Sequence, residues 1–497
     1  MKSHRQPSTG ALNRRNFIKT TSLATGAVVF GVPTLLRAQN LNSKLNIAFI
    51  GAMGKGESDT NCCDTENIVA LCDVDSERCA KQLQKYAGAK FYQDFRKMFD
   101  EMGKSIDAVD VATPDHFHAI AASAAMRLGK HVYCQKPLTQ TIYEARHLRH
   151  LARETGVVTQ MGNQGSSADG LRRAVECIQA GIIGKVSEVH IWTNRPVWPQ
   201  GLDRPTGSDP VPASLDWDIW IGPAPMRPYK NGVYHPWNWR GWQDFGTGAL
   251  GDMACHTVNM PFRALQLGYP TEIEGTPLGP MNKETYPLGS KIRFEFPARS
   301  ISIPAAKPTF FHKHDTLSFA PATFTWYDGG QPDASAPNGH DFSNKPPKDL
   351  LTDIEALLGE VPNSACLLVG DKGKIFSPDD YGEEFFVKQT DDKKFVHFKK
   401  HPAVDAVPVT LPRNPHQGDN DRRQHQEWIA AIKAGKPQDC YSRFEIAAQL
   451  VEIMLLGCVS LRAGRKLEWD GPNMVAKNCP EAAPFIKRDN RAPWALA

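Results

Sequence analysis

From residue 44 onward, hydrophobic side chains come in short unbroken runs, separated by stretches with helical character. An apolar run that does not alternate, and that stops at a turn residue, is the pattern of a strand buried on both faces. Residues 44–51 (KLNIAFIG), 67–75 (NIVALCDVD), the run opening at Ala108 (AVDVATPDHFHA) and 131–139 (HVYCQKPLT) read as four such strands. Helical stretches fall between them at Ser76–Tyr86, Phe95–Met102, His118–Leu128 and Ile142–Thr155. Strand–helix alternation over about 120 residues predicts a doubly wound parallel sheet.

The pattern changes past residue 166. Residues 171–194 read as a helix stopped at Gly181 and Gly184, then the alternating strand VSEVHIWTN. Residues 270–345 are rich in Pro, Gly and short strands, and 367–376 (LLVGDKGKIF) reads as a hairpin turning at Asp371-Lys372-Gly373. Residues 422–435 and 443–464 read as helices, amphipathic or buried, each stopped by Gly. They are expected to cover a sheet or the first domain. The expected division is a leader at 1–38, a nucleotide-binding domain at 44–165, a second α/β domain at 166–475 and a tail at 476–497.

Composition narrows the classes. At 497 residues, 41% hydrophobic and 23% charged, the chain is long enough for two or three globular domains. After the leader no run of 18 or more apolar residues appears, so no membrane helix is expected in the mature form. The net charge is +4, but residues 1–38 hold six basic side chains and no acidic one, so removing them leaves −2. The basic balance belongs to the leader and gives no hint of nucleic-acid binding. Eleven cysteines without a CxxC pair argue for buried thiols rather than a disulfide framework.

Arg14-Arg15-Asn16-Phe17-Ile18-Lys19, followed by a mildly apolar run ending near Ala38, matches a twin-arginine export signal. Export to the periplasm or beyond is the expected localisation. That route carries folded proteins, often with cofactor already in place.

Gly51, Gly54 and Gly56 follow the first strand. The dinucleotide fingerprint is G-x-G-x-x-G, and here Met53 stands at the second glycine. Gly51 and Gly56 still fit the tight turn and the close helix packing, and Gly54 is free to meet the pyrophosphate. Asp73 ends the second strand, where a carboxylate binds ribose hydroxyls and repels a 2′-phosphate, favouring NAD over NADP. Thr113, Pro114 and His116 follow the third strand, and Gln135 and Lys136 end the fourth, all at carboxyl ends where a nucleotide would lie.

At Gln135-Lys136-Pro137 the chain begins to resemble the Gfo/Idh/MocA family, whose signature there is Glu-Lys-Pro. A second match is GTGALGDMACHT at 246–257, which is similar to the family's glycine-rich turn followed by an Asp and a His on one helix. The resemblance covers roughly residues 44 to 475. It implies a Rossmann domain plus a second α/β domain with an open, mostly antiparallel sheet. It implies NAD as cofactor, and Lys136, Asp252 and His256 meeting at the nicotinamide. A dimer or tetramer through the open sheet face is implied as well.

The residues admit that chemistry. Asp252 and His256, four apart, share a helical face. A His can take a hydroxyl proton near neutral pH, and a Lys can stabilise developing alkoxide charge. Asp252 would orient His256 or bind a neighbouring hydroxyl. Seven of the eleven tryptophans fall within 192–242, interleaved with Arg195, Asn238, Arg240 and Asp244. Aromatic faces stack on sugars and these polar groups bind hydroxyls, so Arg195, Trp239 and Arg240 join Asp252 and His256 as candidate substrate residues. Packing of long loops is the alternative use of those rings. His312 and His314 lack a third ligand at useful spacing, as do His116 and His118, so no metal is expected.

These observations point to an NAD-dependent oxidoreductase acting on a sugar or sugar derivative, with the cofactor held tightly because an exported enzyme cannot exchange it. Two alternatives remain open: a glycoside hydrolase working by transient oxidation and elimination, and a non-catalytic sugar-binding protein.

Overall fold

The computed structural model describes residues 43–302 and 316–496. The leader, with Arg14-Arg15, and the His312/His314 pair lie outside the described residues.

The four apolar runs become strands β1 (Asn46–Ile50), β2 (Asn67–Cys72), β4 (Ala108–Val111) and β5 (His131–Gln135), joined by a short β3 (Lys90–Tyr92) and by β6 (Thr159–Gly162). They form one parallel sheet in the order β3-β2-β1-β4-β5-β6. Helices α1 (Lys55–Cys62), α2 (Ser76–Lys85), α3 (Phe95–Met102), α4 (Asp115–Arg127) and α5 (Ile142–Thr155) connect them. Local chemistry sets their starts. Asp75 and Asp94 accept from backbone N–H groups of α2 and α3, and Thr141 with Glu144 forms a capping box on α5. Helix α4 begins three residues earlier than its spacing suggests, because Pro114 stands immediately before the first turn. Strand order reverses between β1 and β4, so a crevice opens beyond their carboxyl ends.

The second layer is a ten-stranded mixed sheet. Helix α6 (Asp169–Gln179) leads into β7 (Val186–Thr193), and α7 (Gly248–Thr257) precedes β8 (Glu272–Leu278) and β9 (Gly289–Phe296). A separate two-stranded ribbon pairs β10 (Arg299–Ser302) with β11 (Thr316–Phe319). Then come β12 (Ala322–Asp328), β13 (Ala365–Gly370), β14 (Gly373–Ser377), β15 (Phe386–Gln389) and β16 (Val396–His397). Helices α8 (Asn420–Ala434) and α9 (Phe444–Ala463) precede the edge strands β17 (Leu467–Asp470) and β18 (Val475–Ala476). The order is β16-β15-β14-β13-β7-β12-β9-β8-β17-β18, antiparallel except for β7 with β12. The β13–β14 hairpin turns at Asp371-Lys372, as its sequence predicts.

The two C-terminal helices tie the layers together. Trp428, Ile429 and Ile432 of α8 pack against Leu45, Ile47, Phe49 and Tyr133 of the parallel sheet. Helix α9 is long and apolar enough to cross a membrane, with a mean hydropathy of 1.8, but 83% of that stretch is buried inside the protein. It runs between α5, α7 and β8, and a helix apolar all round is what a central position requires. The opposite face of β7, β12, β13 and β14, expected to be open, carries helix Lys348–Leu358 through Leu351 and Ile354. All eleven cysteines are buried and unpaired.

The segment after β18 docks on the first domain. Arg488 donates to the His116 carbonyl at 2.6 Å and to Glu144 Oε1 at 2.9 Å. The Trp494 ring lies 5.2 Å from Phe117 and 6.4 Å from Phe95.

Candidate active site

A cavity of about 540 Å³ runs along the crevice beyond β1 and β4, between the two layers. Its size falls within the range of roughly 300–1,000 Å³ for small-molecule sites.

One end is built by the loop after β1. Gly51 has φ of 82°, and a Cβ there would lie 2.7 Å from the Ala112 carbonyl carbon. Gly56 lies inside α1, where a Cβ would meet the Gly51 oxygen at 1.9 Å. These two glycines hold α1 against the sheet and do not need to face a ligand. Gly54, with φ of 64°, has open space above it and caps α1 without a side-chain bond. Gly54 and Lys55 at that helix start line the cavity, and a helix start of this kind can receive a phosphate. Met53 lines the cavity too, and its N–H donates to Asp73 Oδ2 at 3.1 Å. Asp73 is buried and also accepts from the Asp75 N–H at 3.1 Å; burial raises its carboxyl to about 6. Thr113 and Pro114 line the wall opposite. This cradle fits a dinucleotide: the glycines allow backbone approach, and Asp73 stands where ribose hydroxyls would lie.

A cover over this end escapes sequence reading. Residues 214–216 of the second layer add to the first: Ser76 N–H donates to the Ser214 carbonyl at 3.0 Å, and Asp216 N–H to Val74 at 2.9 Å. Gln93 Nε2 bridges both strands of this contact, donating at 2.9 Å to Val74 and to Ser214. His235 lies 3.3 Å from Asp75 Oδ2. Ile219, Trp220, His235 and Pro236 consequently wall the cavity opposite Asp73 and Arg78.

At the centre, Lys136 Nζ donates to Asp252 Oδ1 and to the Asp252 carbonyl, each at 2.9 Å. Arg240 Nε reaches the same Oδ1 at 3.3 Å. Burial alone would raise the Asp252 carboxyl, but the Lys136 and Arg240 charges outweigh it and bring it to about 2. His256 is on the same face of α7, yet it makes no hydrogen bond to Asp252. Burial, reinforced by the Lys136 charge, lowers its imidazole to about 3, so it is neutral. Its Nδ1 is buried without a partner, and Tyr381 sets a ring edge against it at 5.2 Å. Asp252 is thus a counter-ion for Lys136 and Arg240 rather than an orienting group for His256.

Gln135, standing where the family signature has Glu, turns away from Lys136. Its Nε2 donates to Asp59 Oδ2 at 2.8 Å. Asp59 belongs to a fully buried group with Asp110 and His425 of α8, and Lys55 closes it toward the cavity. Burial opposes charge on His425, but hydrogen bonding to Asp110 and the nearby carboxylates raise it to about 10. The group pins α8 to the base of the nucleotide loop.

The tryptophans divide. Trp192 lies under the sheet beside Phe376, and Trp217 stacks on Trp220 at 4.7 Å within an aromatic cluster that includes Tyr234, Trp242 and Phe245. Trp198, Trp237 and Trp239 line the cavity, as does the edge of that cluster at Trp220. Their faces, however, hold Arg240, whose guanidinium sits 3.9 Å from the Trp237 ring and 4.3 Å from Trp239. Each of these two rings thus holds a cation on one face, while Trp237 stays 50% exposed. Arg195 lines the cavity beyond His256, with Gln164 and Tyr381 beside it.

His116 departs from expectation. It does not line the cavity: it is fully buried at the start of α4, its Nε2 lies 3.1 Å from the Trp220 carbonyl, and burial lowers it to about 3. His118 is also structural, spanning the Thr113 and Pro137 carbonyls at 2.7 and 2.8 Å.

The comparisons with known proteins agree with this architecture. Residues 45–163 match a model described as the oxidoreductase family, NAD-binding Rossmann fold, and residues 178–266 match that family's C-terminal α/β domain. Levoglucosan dehydrogenase of Pseudarthrobacter phenanthrenivorans is 25% identical over 190 residues, covering 38% of this chain and 40% of the relative. Inositol 2-dehydrogenase of Salmonella typhimurium is 28% identical over 151 residues, covering 30% of this chain and 44% of the relative. The matches to these curated relatives thus span less than half of their length. An inositol dehydrogenase homologue from Azotobacter vinelandii, solved with NADH and myo-inositol, superposes with a TM-score of 0.55 at 15% identity, over 86% of this chain and 98% of the other. That likeness establishes the fold.

Proposed function

Since residues 45–163 and 178–266 match the models of the two domains of the Gfo/Idh/MocA oxidoreductase family, we propose that the chain is a member of it, an NAD-dependent oxidoreductase acting on a hydroxyl of a sugar or sugar derivative. The observation that carries the reading is one continuous cavity. It joins a dinucleotide cradle at Gly54 and Asp73 to a lysine and a histidine, and then to a polar wall.

NAD, when bound, supplies reversible hydride exchange with a hydroxyl-bearing carbon. The Gly51–Lys55 turn would take its pyrophosphate and Asp73 its ribose. Lys136, held by Asp252, donates a hydrogen bond to the reacting oxygen and stabilises negative charge developing there. His256, neutral in its buried setting, takes the hydroxyl proton. Arg240, fixed between Trp237 and Trp239, holds a neighbouring oxygen. The cover at residues 214–236 supports slow release of the cofactor. With the twin-arginine pattern of the leader, this favours export of a protein already loaded with nucleotide.

The test is to purify the mature protein, denature it and assay the supernatant for nicotinamide, then to present a sugar and glycoside panel. Bound nucleotide and a sugar-dependent redox change are expected. His256→Ala should lower the rate by about 10²–10⁴-fold. A protein that neither carries nor captures nucleotide overturns the reading, and an unchanged rate in His256→Ala overturns the assignment of the base.

A further inference from the structure

The wall beyond His256 holds a cation without a counter-ion. Of the three basic side chains lining the substrate end, Lys136 and Arg240 share the Asp252 carboxylate. Among the described residues, Arg195 forms no ion pair; its guanidinium bonds to the Asn194 side-chain oxygen. Its charge is felt by Asp380, but the two form no ion pair, and the Asp380 carboxyl is engaged by the Ser364 hydroxyl. Among the described residues, Asp252 is the one carboxylate ion-paired with any of these three cations.

This arginine is built in rather than loose. It stands two residues past β7, at the carboxyl end of a central strand. Its carbonyl accepts from the Gly329 N–H at 2.7 Å, and the next carbonyl, of Pro196, is 3.0 Å from Nε2 of the fully buried His340. Beside it, Gln164 offers a second polar group. Its Nε2 donates to the Tyr381 hydroxyl at 3.4 Å, while its Oε1 is buried without a partner and can accept from a ligand hydroxyl.

We infer that the substrate is an acidic sugar, its carboxylate paired with Arg195 while its reacting hydroxyl lies at Lys136 and His256. A planar guanidinium takes a carboxylate through two parallel bonds, a geometry a neutral hydroxyl does not supply. A neutral sugar would leave this half-buried wall with its excess positive charge. The inference rests on the proposed oxidoreductase reading, since it assigns the substrate class of the same cavity.

The experiment titrates the NAD-loaded full chain with D-glucuronate and D-galacturonate against D-glucose and D-galactose, by calorimetry and by the absorbance of reduced nicotinamide. At least one acid should bind ten times more tightly than its neutral counterpart, and added salt should erode that preference. Arg195→Gln should collapse the acid-to-neutral ratio at least tenfold, and Arg195→Lys should restore part of it. A circular dichroism spectrum like that of the parent shows that each variant folds. A panel in which no acid outbinds its neutral counterpart, silence included, overturns the inference, as does an undiminished ratio in Arg195→Gln. Redox turnover of neutral sugars alone would overturn the acidic-substrate inference and leave the oxidoreductase reading standing, whereas failure to hold NAD would remove both.

Discussion

Replacing Gly54 by alanine tests how the nucleotide crosses the loop in which methionine stands at the middle glycine. The residue has φ of 64°, and nothing lies within 4 Å of the position its Cβ would take. Alanine there meets no protein atom, so its only penalty in the free protein is the backbone, whose φ of 64° and ψ of −112° lie outside the left-handed helical region and strain an L side chain by about 1–3 kcal/mol. That strain is the same with and without ligand and leaves affinity untouched. A methyl projecting into the cavity, however, takes space that the phosphates need. We expect Gly54→Ala to raise the NAD dissociation constant at least tenfold, about 1.4 kcal/mol. The loss of stability should stay within the strain value. Gly56→Ala is the control with the opposite signature. Its Cβ would fall 1.9 Å from the Gly51 oxygen, so α1 must shift. Overpacking of this kind costs about 1–3 kcal/mol and should appear first in the denaturant midpoint. The assays are NAD titration by calorimetry and urea unfolding of both variants. If Gly54→Ala binds NAD within twofold of the parent while losing the expected stability, the pyrophosphate does not pass over Gly54.

Asp252→Asn leaves Lys136 and Arg240 sharing a buried site without a carboxylate; breaking such a pair costs about 3–5 kcal/mol, so urea unfolding should register a loss of that order together with a fall in kcat. A variant that keeps full stability would show that solvent, not Asp252, neutralises the lysine. His256 lies at about 3, below its ordinary 6.5, so it stays deprotonated until the pH falls through that lower value. At saturating NAD, kcat/KM should therefore be level from pH 7.5 to 5, and an acid limb centred near 6.5 would refute the depressed value. Gln93→Ala removes the side-chain hydrogen bond from the first domain to Ser214 of the cover, which contributes about 1 kcal/mol, and should speed NAD release about fivefold in a stopped-flow chase; an unchanged release rate would show that the cover is not the barrier.

The parallel sheet was legible because strands buried on both faces read as unbroken apolar runs. The lysine and the Asp–His pair were legible because a motif and a four-residue spacing mark them. The tryptophans were not. Composition alone could not reveal that Arg240 occupies the faces of Trp237 and Trp239. Nor could it show that Trp217 and Trp220 pack on one another. His116 was misread because its position after β4 is right for a ligand, while the side chain turns to the Trp220 carbonyl. The cover at 214–216 depends on contacts between residues 138 positions apart, as Ser76 and Ser214 are. Tyr381 arrives from a loop whose local sequence carries no cavity signal. At Gln135, where the resemblance has Glu, only the bond to Asp59 shows where the amide is used.

The nucleotide loop is fastened by elements made late in synthesis. His425 reaches Asp59 and Asp110 from α8, and Arg488 and Trp494 close on α4 from farther along. A ribosome that has released residues 44–165 has thus delivered the glycines and Asp73 but not the groups that brace them. Firm capture of the cofactor awaits nearly the whole polypeptide, so early fragments should emerge as clients for chaperones rather than as working nucleotide traps.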